Sequence, residues 1–246
     1  MQYNNDDFLK KITNYCLSAY NDSKIHLTKF LSSYDQEVVK TIAKKYQVNA
    51  YFYGGYEQSE YKRALITNFD YEKSDFKVVI FKIKYPKKYL TLSHRIVLGT
   101  LLSLGITRES IGDIICDDEC FLIVCKEIAK YIKEEFNTIN RHYITLEEVF
   151  NPNIEVKDEY LYSDIICSSL RLDAILAKAY NLSRNQAFEV IKNKMVKLNG
   201  ILCDNPSANL KESDLLSVMK KGRLKIVQIK GHTKQNNLVI EVGKLR

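Results

Sequence analysis

Basic side chains recur at short intervals in the last third of the chain, and their chemistry would be ionic binding of phosphate groups. From Ser163 onward there are fifteen lysines and arginines against seven acidic residues, an excess of eight positive charges. The rest of the chain has a net charge of −1. Clustered positive charge on a small domain is typical of a protein that binds a polyanion. A solvated basic surface that maintains solubility explains the charge equally well.

The candidate binding residues lie on two predicted helices and a predicted hairpin. Ser183 begins the second helix, and Gln186 three residues later completes a Ser-x-x-Gln capping box. Asn199-Gly200 predicts a hairpin turn because both residues tolerate positive φ. We expect one rigid cationic edge that suits structured RNA, whose deep major groove excludes side chains. The residues assigned to it are Arg171, Asp173, Ser183, Arg184, Lys192, Lys194, Lys197, Asn199, Lys220, Lys221 and Arg223.

Asp173 is the acidic exception among these residues. One hypothesis is that its carboxylate orients Arg184 or Arg171 through a charge-assisted hydrogen bond. The alternative is an ordinary acid in the first turn of a helix, where a negative charge is favourable.

Five residues upstream are candidates for additional RNA contacts, although the simpler interpretation is that they are solvated surface residues. His94 and Arg95 stand at a predicted helix start, where backbone N–H groups favour anions. The other three are Lys62, Arg63 and Arg108. Gly54-Gly55 lacks the surroundings of a phosphate-binding loop, so we interpret it as a tight turn.

Composition excludes several classes of protein. The 246 residues are 46% hydrophobic and 27% charged, which is ordinary for a globular chain. No apolar stretch is long enough for a membrane span. The N-terminus is polar and acidic, unlike a secretory signal, so we expect a cytoplasmic protein. The six cysteines match no zinc spacing and are expected to be buried thiols in a reducing compartment.

Hydrophobic periodicity predicts an α+β chain. The first part has helices over residues 5–20 and 34–46 and a strand over 48–53. The next part follows the order β-α-β-β-α-β, which is typical of a ferredoxin-like domain. Its predicted strands cover 76–85, 111–116, 120–125 and 141–149, and its predicted helices cover 93–104 and 126–136.

Four segments follow from this pattern. Residues 1–75 form the N-terminal helices and strand region, and residues 76–150 form the ferredoxin-like domain. Asn151-Pro152-Asn153 interrupts the pattern, so residues 151–167 are predicted to be a linker. Residues 168–246 are predicted to place two short helices on a small, hairpin-rich sheet with strands over 215–219, 225–229 and 238–242.

The C-terminal segment resembles the αL-type RNA-binding domain named after the fourth protein of the small ribosomal subunit. The resemblance covers about residues 168–230. It rests on Leu170-Arg171-Leu172-Asp173, Ser183-Arg184-Asn185-Gln186-Ala187, Val196-Lys197-Leu198-Asn199-Gly200, Pro206-Ser207 and Asp214. That domain commonly has Gly where this chain has Lys194, so Asn193 or Lys194 must adopt the turn after the second helix.

Upstream motifs extend the resemblance to the YlmH family, also called RqcP, over nearly the whole chain. The motifs are Phe52-Tyr53-Gly54-Gly55-Tyr56-Glu57, Glu60-Tyr61-Lys62-Arg63-Ala64, Ile83-Lys84-Tyr85-Pro86, Leu92-Ser93-His94-Arg95, Leu104-Gly105-Ile106-Thr107-Arg108-Glu109 and Ile111-Gly112-Asp113-Ile114. The resemblance implies a non-enzymatic RNA-binding protein of bacterial ribosome quality control, without a cofactor. Its implied partners are the RNA of the large ribosomal subunit, peptidyl-tRNA and an RqcH-type factor that adds C-terminal alanine tails.

Two other functions stay open from the sequence. Domains of this type also occur on RNA-modifying enzymes such as pseudouridine synthases, and turnover of an RNA substrate would favour that class. The second is an interaction protein in cell division that binds RNA only incidentally. Ribosome profiles in a density gradient distinguish this second function from a ribosome-associated RNA-binding protein.

Overall fold

The computed structural model describes residues 5–154 and 160–245. The chain divides into two compact units, Met1–Val156 and Lys157–Arg246, here called the first unit and the second unit. The predicted α+β class is confirmed. Within the described ranges, every helix is too short or too polar to cross a lipid bilayer.

The N-terminal part of the first unit is a three-stranded antiparallel sheet under two helices. The predicted helices are confirmed, and Ser32 opens the second with a capping box to Asp35. The strand order is β1-β3-β2, and the helices bury Ile12, Cys16 and Val39 against it. Its elements are α1 (Asn5–Asn21), β1 (His26–Leu31), α2 (Ser33–Lys45), β2 (Ala50–Tyr53) and β3 (Lys62–Ile66).

The ferredoxin-like prediction is confirmed by the second sheet of the first unit. The antiparallel order β5-β6-β4-β9 places the first and third strands of the motif at the centre. Its elements are β4 (Val78–Lys84), α3 (His94–Ser103), β5 (Ile111–Cys116), β6 (Cys120–Cys125), α4 (Lys126–Glu135), β7 (Thr138–Ile139), β8 (His142–Tyr143) and β9 (Thr145–Glu148).

Both faces of this sheet are buried. One face packs against α3 and α4 through Phe81, Leu122 and Val97. The other packs against the N-terminal part, where Phe30 meets Ile123. The two segments predicted over 1–75 and 76–150 therefore belong to one compact unit, and a boundary at residue 75 stays a prediction.

Two local predictions in this region are wrong. The strand predicted over 141–149 is split into β8 and β9, which pair with different strands: β8 pairs with β7 across the left-handed turn at Asn140 and Arg141, and β9 pairs with β4. Cys116 and Cys120 were expected to be free thiols, but they form a disulfide. The three-residue turn between β5 and β6 places them opposite each other as register partners, with Cα atoms 4.0 Å apart.

The second unit is a six-stranded antiparallel sheet with two helices on one face. The strand order is β10-β15-β14-β13-β11-β12. The helices bury Leu172, Ile175 and Ala187 against the sheet, as predicted for two helices on a hairpin-rich sheet. Its elements are β10 (Tyr160–Cys167), α5 (Leu172–Ala179), α6 (Arg184–Lys192), β11 (Val196–Leu198), β12 (Ile201–Leu202), β13 (Leu215–Val218), β14 (Gly222–His232) and β15 (Leu238–Leu245).

The prediction of a linker over residues 151–167 is wrong for the second half of that range. Strand β10 pairs in continuous register with β15, from Tyr160 opposite Leu245 to Cys167 opposite Leu238. This pairing joins segments far apart in sequence, so a local pattern does not show it. The part of the predicted linker on residues 155–159 lies outside the described residues.

Candidate nucleic-acid interface

Arg171 and Asp173 form a bidentate pair at the start of α5. Arg171 Nε donates to Asp173 Oδ1 at 3.0 Å, and Nη2 donates to Oδ2 at 2.7 Å. The hypothesis that Asp173 orients Arg171 is therefore confirmed. These hydrogen bonds are the main reason that the pKa of Asp173 is lowered, and the positive charge of Arg184 contributes in the same direction. Arg184 therefore lies within the electrostatic field of the same carboxylate.

The backbone around this pair is anchored by the loop that follows the hairpin. The N–H group of Leu172 donates to the Ala208 carbonyl at 2.9 Å, and that of Asp173 donates to the Pro206 carbonyl at 3.0 Å. The Arg171 side chain stays 46% exposed. Its guanidinium is thus held in one orientation while it remains accessible, an arrangement suited to a phosphate oxygen.

Helix α6 presents further cations next to its cap. The predicted capping box is confirmed: Gln186 N donates to Ser183 Oγ at 3.2 Å, and Ser183 N donates to Gln186 Oε1 at 2.9 Å. Ser183 thus acts first as a helix cap. Arg184 follows it on an exposed position, and Lys192 in the last turn lies 5.8 Å from the Phe188 ring.

Lys194 and Lys220 lie on adjacent turns at one end of the sheet. Lys194 adopts φ 57°, so it takes the left-handed turn for which Asn193 was the alternative. Lys220 is also left-handed, at φ 64°. The residues next to them are hydrogen-bonded, with Met219 N donating to the Met195 carbonyl at 2.9 Å. Two exposed lysines are therefore fixed on adjacent turns.

Tyr180, at the end of α5, positions two more lysines and was not predicted from the sequence. Lys221 Nζ lies 5.9 Å and Lys244 Nζ 5.1 Å from the centre of its ring. Burial raises the pKa of the phenol to about 12, so it stays neutral at physiological pH. No local motif indicates this cluster, because β13–β14 and β15 bring the lysines to Tyr180 from distant positions.

Asn199 holds the hairpin in place instead of extending the cationic edge. The predicted turn is confirmed, with Asn199 at φ 51° and Gly200 at φ 84°. The Asn199 amide donates to Asp214 Oδ1 at 2.8 Å, and its oxygen accepts from Leu215 N at 2.8 Å. The side chain therefore positions β11 against β13.

The prediction of a single edge is wrong for Lys197 and Arg223. Lys197 is the register partner of Ser217, which is in turn the partner of Arg223. Register partners point to the same face of a sheet. Val196, next to Lys197, is buried with the helices, so this row lies on the opposite face. The candidate residues therefore occupy two surfaces of the second unit.

Among the upstream candidates, Arg63 is not available to RNA. It is 3% exposed, and its guanidinium donates to Glu127 twice at 3.0 Å, to Thr28 O at 2.7 Å and to Lys77 O at 2.9 Å. The prediction failed because the ionic partner is distant in sequence. Lys62, its neighbour, is half-buried.

Arg108 is likewise engaged within the first unit. Its guanidinium lies 4.0 Å from the centre of the Tyr61 ring and donates to the carbonyls of Ile111 and Gly112. His94 and Arg95 occupy exposed positions at the start of α3. Of the five upstream candidates, these two stay on accessible surface.

Comparisons with known proteins match three consecutive segments. Residues 4–71 match "YlmH, N-terminal", residues 71–152 match "Putative RNA-binding domain in YlmH", and residues 170–216 match "S4 domain". The chain is 32% identical over 219 residues to "Ribosome-associated protein quality control protein P2" of Bacillus subtilis (strain 168). That match covers 87% of this chain and 84% of the relative.

The chain belongs to the YlmH family. A solved structure supports the assignment of this YlmH family member: "Cell division protein ylmH from Streptococcus pneumoniae" is 28% identical, with a TM-score of 0.52. The similarity covers 61% of this chain and 93% of that one. The matched S4 domain includes Lys194 and also Arg171, Asp173 and Arg184, the three charged residues that are here called the α5–α6 corner.

Proposed function

We propose that this YlmH family member is a non-enzymatic RNA-binding protein of ribosome-associated quality control. It associates with the large ribosomal subunit in the cytoplasm and contacts ribosomal RNA and peptidyl-tRNA. In doing so it assists an RqcH-type factor in adding C-terminal alanine tails to stalled chains. The two RNA-binding segments support an RNA partner, and the similarity to the ribosome-associated quality control protein of Bacillus subtilis supports association with the ribosome.

The observation on which this proposal rests is the oriented guanidinium of Arg171. A guanidinium has five N–H donors in a planar fork, and Asp173 accepts from two of them. The fork is fixed before RNA arrives, so less side-chain entropy is lost when a phosphate binds. Arg184 adds a second positive charge to the same corner. Capture by charge, followed by fitting to a rigid RNA contour, is the mechanism that this geometry supports.

Three reactive groups inside the first unit, those of Asp113, Cys16 and Cys125, are hydrogen-bonded or buried, which supports binding without covalent chemistry. The carboxylate of Asp113 accepts from Tyr56 Oη, Glu60 N and Tyr61 N within 3.0 Å. Burial raises the pKa of the Cys16 and Cys125 thiols to about 11. A thiol with such a pKa stays protonated and is a poor nucleophile.

Sedimentation of cell lysates through a density gradient tests this proposal. The variant Arg171→Ala with Arg184→Ala removes two positive charges from the corner. The matched control, Lys10→Ala with Lys44→Ala, removes two from exposed positions on α1 and α2. We expect the wild type and the control to migrate with the large subunit, and the first variant to move to the top. Equal co-migration of the wild type and both variants would contradict this placement.

The similarity to the pneumococcal cell division protein supports a role in cell division as the second candidate function. In that case the wild-type protein itself would stay at the top of the gradient. The same experiment therefore distinguishes the two functions.

A further inference from the structure

The sheet of the second unit has a second polar and aromatic surface on the face opposite α5 and α6. The inner face packs against the helices through Leu216, Leu224 and Val242. Because side chains alternate along a strand, the residues between these belong to the outer face. The outer-face group is defined as Tyr160, Tyr162, Lys197, Arg223 and Lys225.

Strand register places this group in order across the sheet. Neighbouring strands lie about 4.8 Å apart, so the four steps from β11 to β10 span about 19 Å. That width accommodates several nucleotides of an extended chain. The two rows of register partners are Leu215, Lys225, Gly243 and Tyr162, and then Lys197, Ser217 and Arg223.

Gly243 allows an aromatic ring to lie on the sheet surface. A Cβ atom at Gly243 would be 3.0 Å from Cδ1 of Tyr160, so the ring occupies the space of the missing side chain. Lys225 Nζ lies 6.0 Å from the centre of that ring. The ring of Tyr162 is centred 6.1 Å from it, and Tyr162 is 62% exposed. One packed ring, one exposed ring and one cation are thus grouped at the β10 side of the sheet.

We propose that the outer face binds an unpaired segment of RNA, with Tyr162 stacking on a base. Lys225, Arg223 and Lys197 contact the phosphates that follow along the sheet. An aromatic ring beside a row of cations suits single-stranded nucleic acid, because every base has a stacking face and every linkage has a negative charge. A base-paired helix offers no free base face in its interior, so this surface selects unpaired RNA.

Charge complementarity favours RNA over a protein partner on this face. The acidic residues Asp164 and Glu241 lie further along β10 and β15, and Lys230 contacts both carboxylates, at 2.8 and 2.9 Å. The outer-face group itself contributes three cationic side chains, those of Lys197, Arg223 and Lys225. This inference is separate from the proposed function, which rests on α5 and α6, so the second unit has two RNA surfaces on opposite faces.

Binding of the full chain to two RNA probes tests this inference. The probes are a short oligouridine, which stays unpaired, and a base-paired stem of similar length. We expect Tyr162→Ala to weaken oligouridine binding about tenfold and to leave stem binding unchanged. Tyr162→Phe keeps the stacking ring and should bind within about twofold of the wild type. Tyr20→Ala is the matched control, since Tyr20 on α1 is 56% exposed.

Circular dichroism establishes that each variant is folded, and ultraviolet crosslinking with peptide mass spectrometry locates the oligouridine. A crosslink in the peptide that contains Tyr162 supports the inference. If Tyr162→Ala binds oligouridine as tightly as the wild type, the inference is overturned. The same holds if that variant keeps its oligouridine affinity but loses binding to a protein partner. Asp173→Asn should weaken stem binding alone, so failure of this inference and failure of the proposed function give different results.

Discussion

The guanidinium of Arg63, on β3, forms two parallel hydrogen bonds with the carboxylate of Glu127, on α4. Burial is the largest single effect and opposes ionisation of Glu127, but the hydrogen bonds from Arg63, a backbone hydrogen bond and the positive charges of Arg63 and Lys77 together lower the pKa of Glu127 below its usual value. The pair joins the N-terminal sheet to helix α4 of the ferredoxin-like part. Its role is structural, although its sequence context suggested RNA binding.

Arg63→Met should lower the free energy of unfolding of the first unit by about 3 kcal/mol. The variant removes the Arg63 donor from the carbonyls of Thr28 and Lys77, although the Lys77 carbonyl keeps the hydrogen bond from Lys126 N, and it leaves the Glu127 carboxylate without its ionic partner. Lys62→Met, at the half-buried neighbouring position, should cost less than about 1 kcal/mol. Denaturant titration measures both values. Equal values for the two variants would show that the ion pair does not stabilise this unit.

Asp113→Ala should also destabilise the first unit, by about 3 kcal/mol, because Tyr56 Oη and the N–H groups of Glu60 and Tyr61 lose a charged acceptor. Tyr56→Phe removes only one of these hydrogen bonds and should cost about 1 kcal/mol. Thermal unfolding of both variants gives the comparison. A larger loss in Tyr56→Phe than in Asp113→Ala would contradict the assignment of Asp113 as the anchor of this loop.

His26 should make the first unit less stable in acid. Its imidazole is stacked on Tyr15 with ring centres 4.5 Å apart, and Nε2 has no hydrogen-bond partner among the described residues. Burial, and next the charge of Lys24, lower the pKa of His26 in the folded state. As the pH falls below about 6.5, the unfolded chain binds a proton that the folded chain resists, so stability decreases.

His26→Phe keeps the stacked ring and removes the titrating group. We expect the denaturation midpoint of the wild type to fall more than that of the variant between pH 7.5 and 5.5, a range that includes the ordinary histidine pKa of about 6.5. Parallel falls in the two proteins would exclude His26 as the source.

Lys194→Gly should stabilise the second unit by about 0.5–1 kcal/mol, because glycine adopts the left-handed φ of 57° without steric cost. Lys192→Gly removes the same charge from within α6 and should instead destabilise by about 1 kcal/mol. Opposite signs in denaturant titration are the expected result, and destabilisation by both variants would contradict it.

Local sequence signals predicted the elements whose determinants lie close together in the chain. Two examples are the Ser183–Gln186 capping box and the Asn199-Gly200 turn. The residues that determine each of them lie within four positions of one another, and both predictions are confirmed. Strands β1 and β3 were missed. The burial of β1 does not alternate and β3 is buried almost throughout, so neither has the period of two that identifies a half-buried strand.

The candidate site was predictable only in part, for the same reason. Asp173 and Arg171 are two residues apart, and their pairing was one of the hypotheses for Asp173, with Arg184 as the other possible partner. The separation of Lys197 and Arg223 from the helices depends on strand register, which links Lys197 to Ser217, 20 positions away, and Ser217 in turn to Arg223. The cluster around Tyr180 depends on packing between segments that are far apart in the sequence, so no local sequence pattern predicts it.

The central claim is that the orientation of Arg171 by Asp173, and not excess positive charge alone, determines RNA binding. Its most direct test is the affinity of the full chain for a structured fragment of large-subunit RNA over a range of salt concentrations. Asp173→Asn adds positive charge and releases Arg171. Asp204→Asn adds the same charge at an exposed loop position and is the control.

We expect Asp173→Asn to bind about tenfold more weakly, with the slope of log affinity against log salt reduced by about 0.9, the value for one lost phosphate contact. Asp204→Asn should bind at least as tightly as the wild type. Tighter binding by Asp173→Asn, equal to that of Asp204→Asn, would contradict the claim and leave net charge as the determinant.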